Sequence, residues 1–399
     1  MYKINEDSFK EKKIMLIPAM LDDHFPLLKY AFYSKEYHPV ILSNEEGIKN
    51  VGLKYVNNDM CFPAILNIGQ MISALMSGEY DLDKTVLMMP QAGDMCRGSN
   101  YISILRKAAI KAGFDIPVLS LNVKGLEKES QVRLTPYMVY RALIGLIYSD
   151  LLMILIYQTR PYEKEAGSAE ALRNKWFDIL SEDLKNGKNL SFKKIWKNCN
   201  QIAKEFRKII NTDIKKKRIG ITGELYIRYC HIGNFNLVNF LENSGCECII
   251  SSLMTYVLYY IDTHLANEGL LMKTGYKIGL AFMLKIQKKI INIIRENGFS
   301  CMDPYDEYKS FASKYVNLGC SMGDGWLIGA DIAAFANMGI TRAIGAQPFG
   351  CMINQVCGKS LYSAVSRKIG TISVVPVDFD PGASKVNIEN RIKMLLDNY

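Results

Sequence analysis

Four of the ten cysteines in this 399-residue chain stand where a thiolate could do chemistry. Cys96 and Cys351 each follow an apolar run that ends in a glutamine and a glycine-containing loop. Cys61 and Cys320 each precede an apolar helical pattern, 35 residues before Cys96 and 31 residues before Cys351, respectively. Because a thiolate is both a metal ligand and a nucleophile, this repeated arrangement indicates a site that uses sulfur.

Cys96 and Cys351 lie in the same order of features along the chain. The order is a strand, a glutamine, a loop that contains glycine, the cysteine, an asparagine and a helix. The two copies are 86–100 and 343–354. Ligands of a parallel α/β sheet bind beyond the carboxyl ends of the strands, where both cysteines are expected. The partial positive charge of a helix N-terminus there favours thiolate over thiol. Gly93 and Gly350 would let the backbone approach a bulky group.

Short apolar runs separated by helical patterns predict an α/β fold with two Rossmann-like parallel-sheet domains and a helical insertion. The predicted strands are Ile14–Pro18, Pro39–Leu42, Thr85–Met89, Pro117–Asn122, Ile219–Thr222, Cys246–Ile250, Ala343–Ala346 and Thr371–Val377. We expect an N-terminal α/β domain at 1–135, a helical linker domain at 136–214, and a C-terminal α/β domain at 215–399. The last domain carries a helical insertion at about 254–298.

The composition is that of a globular protein, with 49% hydrophobic residues and a formal charge of +9. Many of the basic residues lie in one stretch, 185–218. The favoured interpretation is a solvated helical surface, and the alternatives are docking of an acidic partner or of a phosphate-bearing ligand such as coenzyme A. Nucleic-acid binding is not expected, because no aromatic-interleaved basic motif occurs.

Neither the N-terminal segment nor the most apolar stretch of the chain favours membrane insertion. The polar segment Met1–Lys13 lacks the apolar region of a secretory signal. The apolar stretch Tyr137–Tyr157 is nearly long enough to span a bilayer, but Arg141 and Asp150 interrupt it, so a core helix is predicted. We therefore expect a cytoplasmic protein, in which the cysteines are metal-binding, catalytic or inert and do not build a disulfide framework.

Three or four thiolates brought together from two facing domains suit a cuboidal iron–sulfur cluster better than zinc. Structural zinc sites use closely spaced pairs such as Cys-x-x-Cys, and the sequence contains none. It also lacks a phosphate-binding loop for ATP hydrolysis. No ligand-spaced pair occurs among the four histidines, which are His24, His38, His231 and His264.

The other six cysteines are less favoured as ligands or catalytic residues. Cys230 is a minor candidate because it is expected on a loop at a strand end. Cys357 is expected two helical turns beyond Cys351, too far along its helix to share the site. Core or bystander positions are predicted for the remaining four, Cys199, Cys246, Cys248 and Cys301.

Six short strings resemble those of the 2-hydroxyacyl-CoA dehydratase superfamily, which includes the benzoyl-CoA reductase and 2-hydroxyglutaryl-CoA dehydratase types. The nearest branch is that of the activase-related proteins and double-cubane cluster proteins. The resemblance extends from about Ile14 to the C-terminus. In chain order the strings are Asn58-Asp-Met-Cys61-Phe-Pro-Ala64, Gln91-Ala-Gly-Asp-Met-Cys96-Arg-Gly-Ser-Asn-Tyr101, Gly223-Glu-Leu-Tyr226, Gly323-Asp-Gly-Trp-Leu327, Gln347-Pro-Phe-Gly-Cys351 and Asp378-Phe-Asp-Pro-Gly-Ala383.

The resemblance implies an oxygen-sensitive cluster in the cleft between two α/β domains, either 4Fe-4S or a double cubane. A separate ATP-dependent activase would donate one low-potential electron, which in dehydratases makes a ketyl radical on the acyl-CoA thioester. Cys61, Cys96 and Cys351 match the three recurring cysteines of the family, whereas Cys320 departs from its pattern. If Cys320 is a fourth ligand, no iron is open, and electron transfer is favoured. If it is not, one iron can bind a substrate oxygen.

Three functions follow. The first is an iron–sulfur dehydratase or reductase that drives low-potential reduction or radical dehydration of a small or CoA-linked substrate. The second is an electron-transfer or cluster-carrier component without its own substrate, and the third is a metal-free scaffold that has kept the fold. The repeated cysteine loops argue against the third. Pairing with an identical chain and pairing with a related subunit both stay open.

Overall fold

The computed structural model describes residues 12–57, 59–92, 96–121, 130, 132–264 and 270–397. Asn58 and Gly93, which the sequence patterns include, lie outside the described residues. The chain forms two compact units, 1–145 and 146–399. Most of the segment predicted as a separate helical domain therefore belongs to the second unit.

The first unit is built on a four-stranded parallel sheet with the strand order β2-β1-β3-β4. Its strands are β1 (Lys13–Ile17), β2 (Tyr37–Ile41), β3 (Thr85–Pro90) and β4 (Val118–Leu121). Its helices are α1 (Phe25–Leu28), α2 (Ile48–Tyr55), α3 (Phe62–Met76), α4 (Tyr101–Lys111) and the beginning of α5 (Pro136–Thr159), with 3-10 turns at Lys29–Ala31, Leu82–Lys84 and Arg97–Asn100.

Both faces of this sheet are covered, which explains the continuous apolar sequence of its central strand. On β3, Leu87 and Met89 pack into a cluster that includes Ile65 of α3. Val86 and Met88 point to the opposite face and pack with residues of β1. A parallel strand that is buried on both sides loses the polar alternation of a half-exposed one.

The second unit contains the other four-stranded parallel sheet, with the order β6-β5-β7-β8. Its strands are β5 (Lys217–Gly223), β6 (Cys246–Ile250), β7 (Arg342–Pro348) and β8 (Ser373–Phe379). Its helices are the end of α5, then α6 (Ser168–Asn186), α7 (Phe192–Lys208), α8 (Leu225–Tyr229), α9 (His231–Asn234), α10 (Leu237–Asn243), α11 (Leu253–His264), α12 (Leu270–Glu296), α13 (Tyr305–Ala312), α14 (Leu327–Asn337), α15 (Met352–Asn354), α16 (Ser360–Ile369) and α17 (Lys385–Asp397), with a 3-10 turn at Arg160–Tyr162 and a π-helical turn at Gln355–Lys359.

The α/β fold with two parallel sheets is as predicted, and so is the repeat between the two halves. In each sheet the third strand of the chain lies beside the first, and the cysteine loop follows that third strand. The glutamine side chains also correspond. Ser120 of β4 donates to Oε1 of Gln91 at 2.8 Å. The Nε2 group of Gln347 donates to Asp378 of β8, also at 2.8 Å.

The order of each sheet places a topological switch point between its first and third strands. At a switch point, the connections that follow the two neighbouring strands run to opposite faces of the sheet. This divergence opens a crevice at the carboxyl edge of the sheet. The switch points lie between β1 and β3 in the first unit and between β5 and β7 in the second. The loops that carry Cys96 and Cys351 therefore begin at the edges where α/β sheets bind ligands.

Helix α5 lies in the stretch that raised the question of a membrane span. Pro136–Tyr162 is long and apolar enough to cross a bilayer, yet 72% of its apolar window is buried inside the protein. Arg141 donates to two backbone carbonyl groups. The Asp150 carboxylate accepts the N–H groups of Leu253 and Met254 at 2.7 and 2.9 Å, at the start of α11. The two charges thus satisfy backbone groups within the protein, as in a core helix.

The basic stretch 185–218 lies largely on the surface of the second unit. Helix α7 buries Ile195, Ile202 and Phe206 on one face. Lys193 and Lys197 are exposed. This segregation is that of an amphipathic surface helix, which agrees with the solvated surface favoured from the sequence.

Candidate metal centre at the carboxyl edges of the sheets

Cys61 and Cys96 lie at the starts of helical segments in the first unit. Cys61 has extended backbone geometry and is the N-cap residue of α3. Cys96 caps the 3-10 turn that leads into α4, and its Sγ atom accepts the N–H of Gly98 at 3.3 Å. Both thiols are half-buried. They are therefore accessible enough to bind a metal, yet fixed by their positions at helix starts.

Two side chains tie the Cys61 loop to the Cys96 loop. The hydroxyl group of Tyr101, the first residue of α4, lies 2.8 Å from Sγ of Cys61. Arg97 donates from Nη1 to the backbone carbonyl of Asp59. These contacts join loops that lie far apart in the sequence, and they hold the two cysteines in one region of the first unit.

Cys351 stands at the corresponding place in the second unit, directly before α15. Its Sγ atom accepts a hydrogen bond from Nδ2 of Asn354 at 3.4 Å. Burial raises the pKa of the Cys351 thiol to about 11, and the Glu224 and Asp324 carboxylates add to the rise. Burial therefore opposes the thiolate that a helix N-terminus was expected to favour at this residue. Without a bound cation Cys351 is a thiol at neutral pH, and a metal ion would displace its proton.

The two carboxylates near Cys351 come from two of the strings that resemble the dehydratase superfamily. Glu224 follows β5, and its Oε2 atom accepts the N–H of Ile227 at 2.9 Å. Burial raises the pKa of Glu224, and the nearby Asp324 raises it further. The pKa of Asp324 is also raised by burial, although Arg228 opposes the rise. The fold thus gathers two acids and a thiol at the carboxyl edge of the second sheet.

Arg228 is the buried cation that balances these acids. Its guanidinium lies 2.9 Å from Oδ2 of Asp331 and 3.8 Å from Oδ1 of Asp324. Asp331 also accepts hydrogen bonds from Thr222, at 2.6 Å, and from the hydroxyl of Tyr308. A buried charge is tolerated only when it is paired and hydrogen-bonded, and the Arg228–Asp331 pair meets both conditions. The sequence analysis did not predict this network. The signal that could have indicated it is the arginine four residues after Glu224.

Asp378, the first residue of the last of the six strings, lies near the end of β8 at the carboxyl edge of the second sheet. Its two carboxylate oxygens accept hydrogen bonds from Gln347, at 2.8 Å, and from Lys359, at 2.6 Å. Four strings that are far apart in the sequence therefore meet beside β7.

The string after β5 begins with Gly223, a position that only glycine fits. Its φ is +128°, a backbone conformation that side chains disfavour. A Cβ atom there would lie 1.8 Å from the carbonyl oxygen of Ala346 on β7. The absence of a side chain lets β5 and β7 remain adjacent at the switch point.

Cys320 is paired with Cys357 as a disulfide, with their Cα atoms 6.8 Å apart. The sequence predicted that Cys357 is too far along its helix to share the site, and it also predicted no disulfide framework. The pair forms because the turn before α14 folds back onto the π-helical turn after α15. A single pair does not amount to a disulfide framework, and the separation of Cys357 from the Cys351 site stays a prediction. Ligation of a cluster by Cys320 stays a prediction.

The other cysteines are mostly core residues. Cys199, Cys246 and Cys248 are buried, as predicted, and Cys301 is half-buried. Cys230 is buried between α8 and α9 and does not follow a strand, so its expected strand-end position is wrong. Within the described parts of the chain, no group of three or more His, Cys, Asp or Glu side chains could hold a metal ion by itself.

A small cavity of about 40 Å³ lies at the end of β6. Its lining includes Asp150, Cys248, Gln287 and Cys301. A volume of this size holds a few water molecules, since each needs roughly 10–15 Å³. This cavity is too small for an acyl-CoA.

Comparison with known proteins leaves the chain without an assigned relative: no family model matches it, and no curated protein matches its sequence. The candidate ligands of an iron–sulfur cluster share two features. Cys61, Cys96 and Cys351 are half-buried. Each sulfur lies within hydrogen-bond distance of a hydroxyl or N–H group. Cluster thiolates accept such bonds, so these three residues fit the group.

Proposed function

We propose that this protein is an iron–sulfur protein of the 2-hydroxyacyl-CoA dehydratase type, with Cys61, Cys96 and Cys351 as cluster ligands. One observation carries the proposal: these half-buried cysteines occupy loops at the starts of helical segments, and each sulfur has a neighbouring group that can donate a hydrogen bond. A 4Fe-4S cluster is the proposed group, with a double cubane as the alternative. Its location between the two units stays a prediction.

The bound cluster would supply one-electron chemistry at low potential. The protein's own contribution is made by the donors to sulfur. Gly98 and Asn354 offset negative charge on the ligands, and Tyr101 orients Cys61. Arg228 and its acidic partners fix the loops around Cys351 by a buried, hydrogen-bonded network. These parts favour a rigid site, which limits the structural change that accompanies electron transfer.

The proposed activity is low-potential reduction or radical dehydration of a small or CoA-linked substrate. The proposed electron donor is an ATP-hydrolysing activase. We also propose a cytoplasmic location, because most of the cysteines are not joined in disulfides, and thiols persist in reducing compartments. An electron-transfer component without its own substrate would share the cluster and the donor, but it would release no dehydrated or reduced product.

The test is iron and acid-labile sulfide content after anaerobic purification and reconstitution. Wild-type protein should bind about four iron and four sulfide per 4Fe-4S cluster. Cys61→Ala, Cys96→Ala and Cys351→Ala should each lose most of both. Cys199→Ala is the matched control, because that thiol is buried in α7, and it should keep them. Folded wild-type protein that binds no iron would contradict the proposal.

A further inference from the structure

The turn before α14 and the helical segment after Cys351 are packed along each other. A Cβ atom added at Gly323 would lie 2.6 Å from the side chain of Ile353. Asn354, the next residue, lies close enough to the Asp324 carboxylate to lower its pKa. Cys357 lies one helical turn beyond Ile353 and faces Cys320. Three successive contacts thus bring the two cysteines together.

Both cysteines are held by their backbones. The Cys320 carbonyl accepts the N–H of Trp326 at 2.7 Å, and its own N–H donates to Asn317 at 3.0 Å. Gly325 permits this turn, because a Cβ atom there would lie 2.4 Å from the same carbonyl oxygen. Cys357 belongs to a π-helical turn, a rare geometry that is frequent at functional sites. The pair is therefore preorganised for a covalent bond.

We propose that Cys320 and Cys357 are a reversible redox pair, a site of disulfide modification beside Cys351. Cys320 is half-buried and Cys357 is 1% exposed, so Cys320 reacts first. Its thiolate attacks a low-molecular-weight disulfide, forms a mixed disulfide and releases one thiol. Cys357 then attacks the Cys320 sulfur and releases the second thiol. The protein loses two electrons and two protons, and one reagent disulfide becomes two thiols.

The consequence for the metal centre rests on the proposed function. The disulfide removes Cys320 from the thiolates available to iron, which leaves three ligands and an open iron. It also covalently joins the turn that carries Asp324 to the helical segment that carries Asn354, the donor to Cys351. The redox state of the pair therefore regulates the surroundings of the Cys351 ligand.

The experiment measures the linkage in metal-free protein, so its result does not depend on whether a cluster binds. Native protein is treated with glutathione disulfide, quenched with an alkylating agent, unfolded, digested and analysed by mass spectrometry. We expect a Cys320–Cys357 cross-linked peptide that disappears after dithiothreitol. Cys246→Ser should leave this peptide intact, and Cys320→Ser should abolish it.

Two results would overturn the proposal. The first is full alkylation of both residues after oxidation of folded protein. The second is a disulfide that dithiothreitol does not reduce in the folded protein, because a permanent cross-link is not a redox pair. If Cys357→Ser fails to fold, the half-buried Cys320→Ser still serves as the variant that lacks the linkage. Absence of iron from all variants would contradict the proposed function and leave the linkage test intact.

Discussion

The Asn354 side chain donates from Nδ2 to the Sγ atom of Cys351 at 3.4 Å. Asn354 is 1% exposed, so solvent does not replace this contact. The same side chain also lowers the pKa of Asp324, whose carboxylate lies 3.8 Å from the buried Arg228. Asn354 thus connects a thiol of the candidate metal centre to a fixed ionic network.

Removal of this donor should make the proposed cluster harder to reduce. A hydrogen bond to a ligand sulfur stabilises the more negative, reduced cluster, so Asn354→Ala should shift the midpoint potential to more negative values. The shift should be on the order of 50 mV, since about 1.4 kcal/mol corresponds to about 59 mV for a one-electron couple. An EPR-monitored redox titration measures it. The exposed Asn387 provides the control, Asn387→Ala, and equal potentials in the two variants would exclude the role.

Tyr101 should have a similar effect through Cys61. A thiolate ligand has no proton to donate, so the Tyr101 hydroxyl must be the donor in the cluster-bound protein. Tyr101→Phe keeps the buried ring and removes only that donor, and we expect a potential more negative by tens of millivolts with unchanged iron content. Redox titration and iron analysis of the same sample provide the comparison. Loss of iron would instead mean that Tyr101 is required to form the site.

Gly223 should tolerate no side chain. Gly223→Ala forces a Cβ atom to within 1.8 Å of a backbone oxygen at a φ of +128°, so it should destabilise the protein by about 2 kcal/mol or more. Gly279→Ala is the matched control, because that helical glycine has no atom within 4 Å of its would-be Cβ. It should be neutral or stabilising by up to about 1 kcal/mol. Urea denaturation followed by circular dichroism compares the two, and equal midpoints would contradict the close packing.

Glu224 should make the metal-free protein less stable as the pH rises. Burial, and secondly Asp324, raise its folded-state pKa above the ordinary value of 4.5. The folded protein then binds more protons than the unfolded chain, so this contribution to stability is complete below pH 4.5 and is lost as the pH rises through the folded pKa. Glu224→Gln removes that loss and should raise the melting temperature at pH 8 by about 2 °C or more.

The comparison at pH 4.5 supplies an internal control for this prediction, because the wild-type carboxyl is largely protonated there and the variant should gain little. A second control is Glu182→Gln on the exposed face of α6, which should leave the melting temperature unchanged at both values of pH. A gain that is equal at pH 4.5 and pH 8 would show that the effect does not come from titration.

Much of the fold followed from local patterns. All eight predicted strands are present, with ends displaced by no more than two residues, because apolar runs bounded by turn residues are local signals. Helices α2, α8, α9 and α13 were not predicted. In α2, the sequence Ile48–Tyr55 contains glycine and asparagine, which disfavour helix. It forms because Ile48 and Gly52 pack against α3. Tertiary contact overrides propensity there.

The sequence by itself determined the two α/β halves, their repeat, and the cysteine loops after β3 and β7. These depend on residues within one strand–loop–helix unit. Only the tertiary structure decided that Cys357 meets Cys320, that Arg228 balances Asp324 and Asp331, and that burial raises the pKa of the Cys351 thiol. Each of these facts depends on groups far apart in the chain, which meet because parallel strands bring their carboxyl ends to one edge. Burial at that edge then changes the chemistry of side chains whose types alone predict something different.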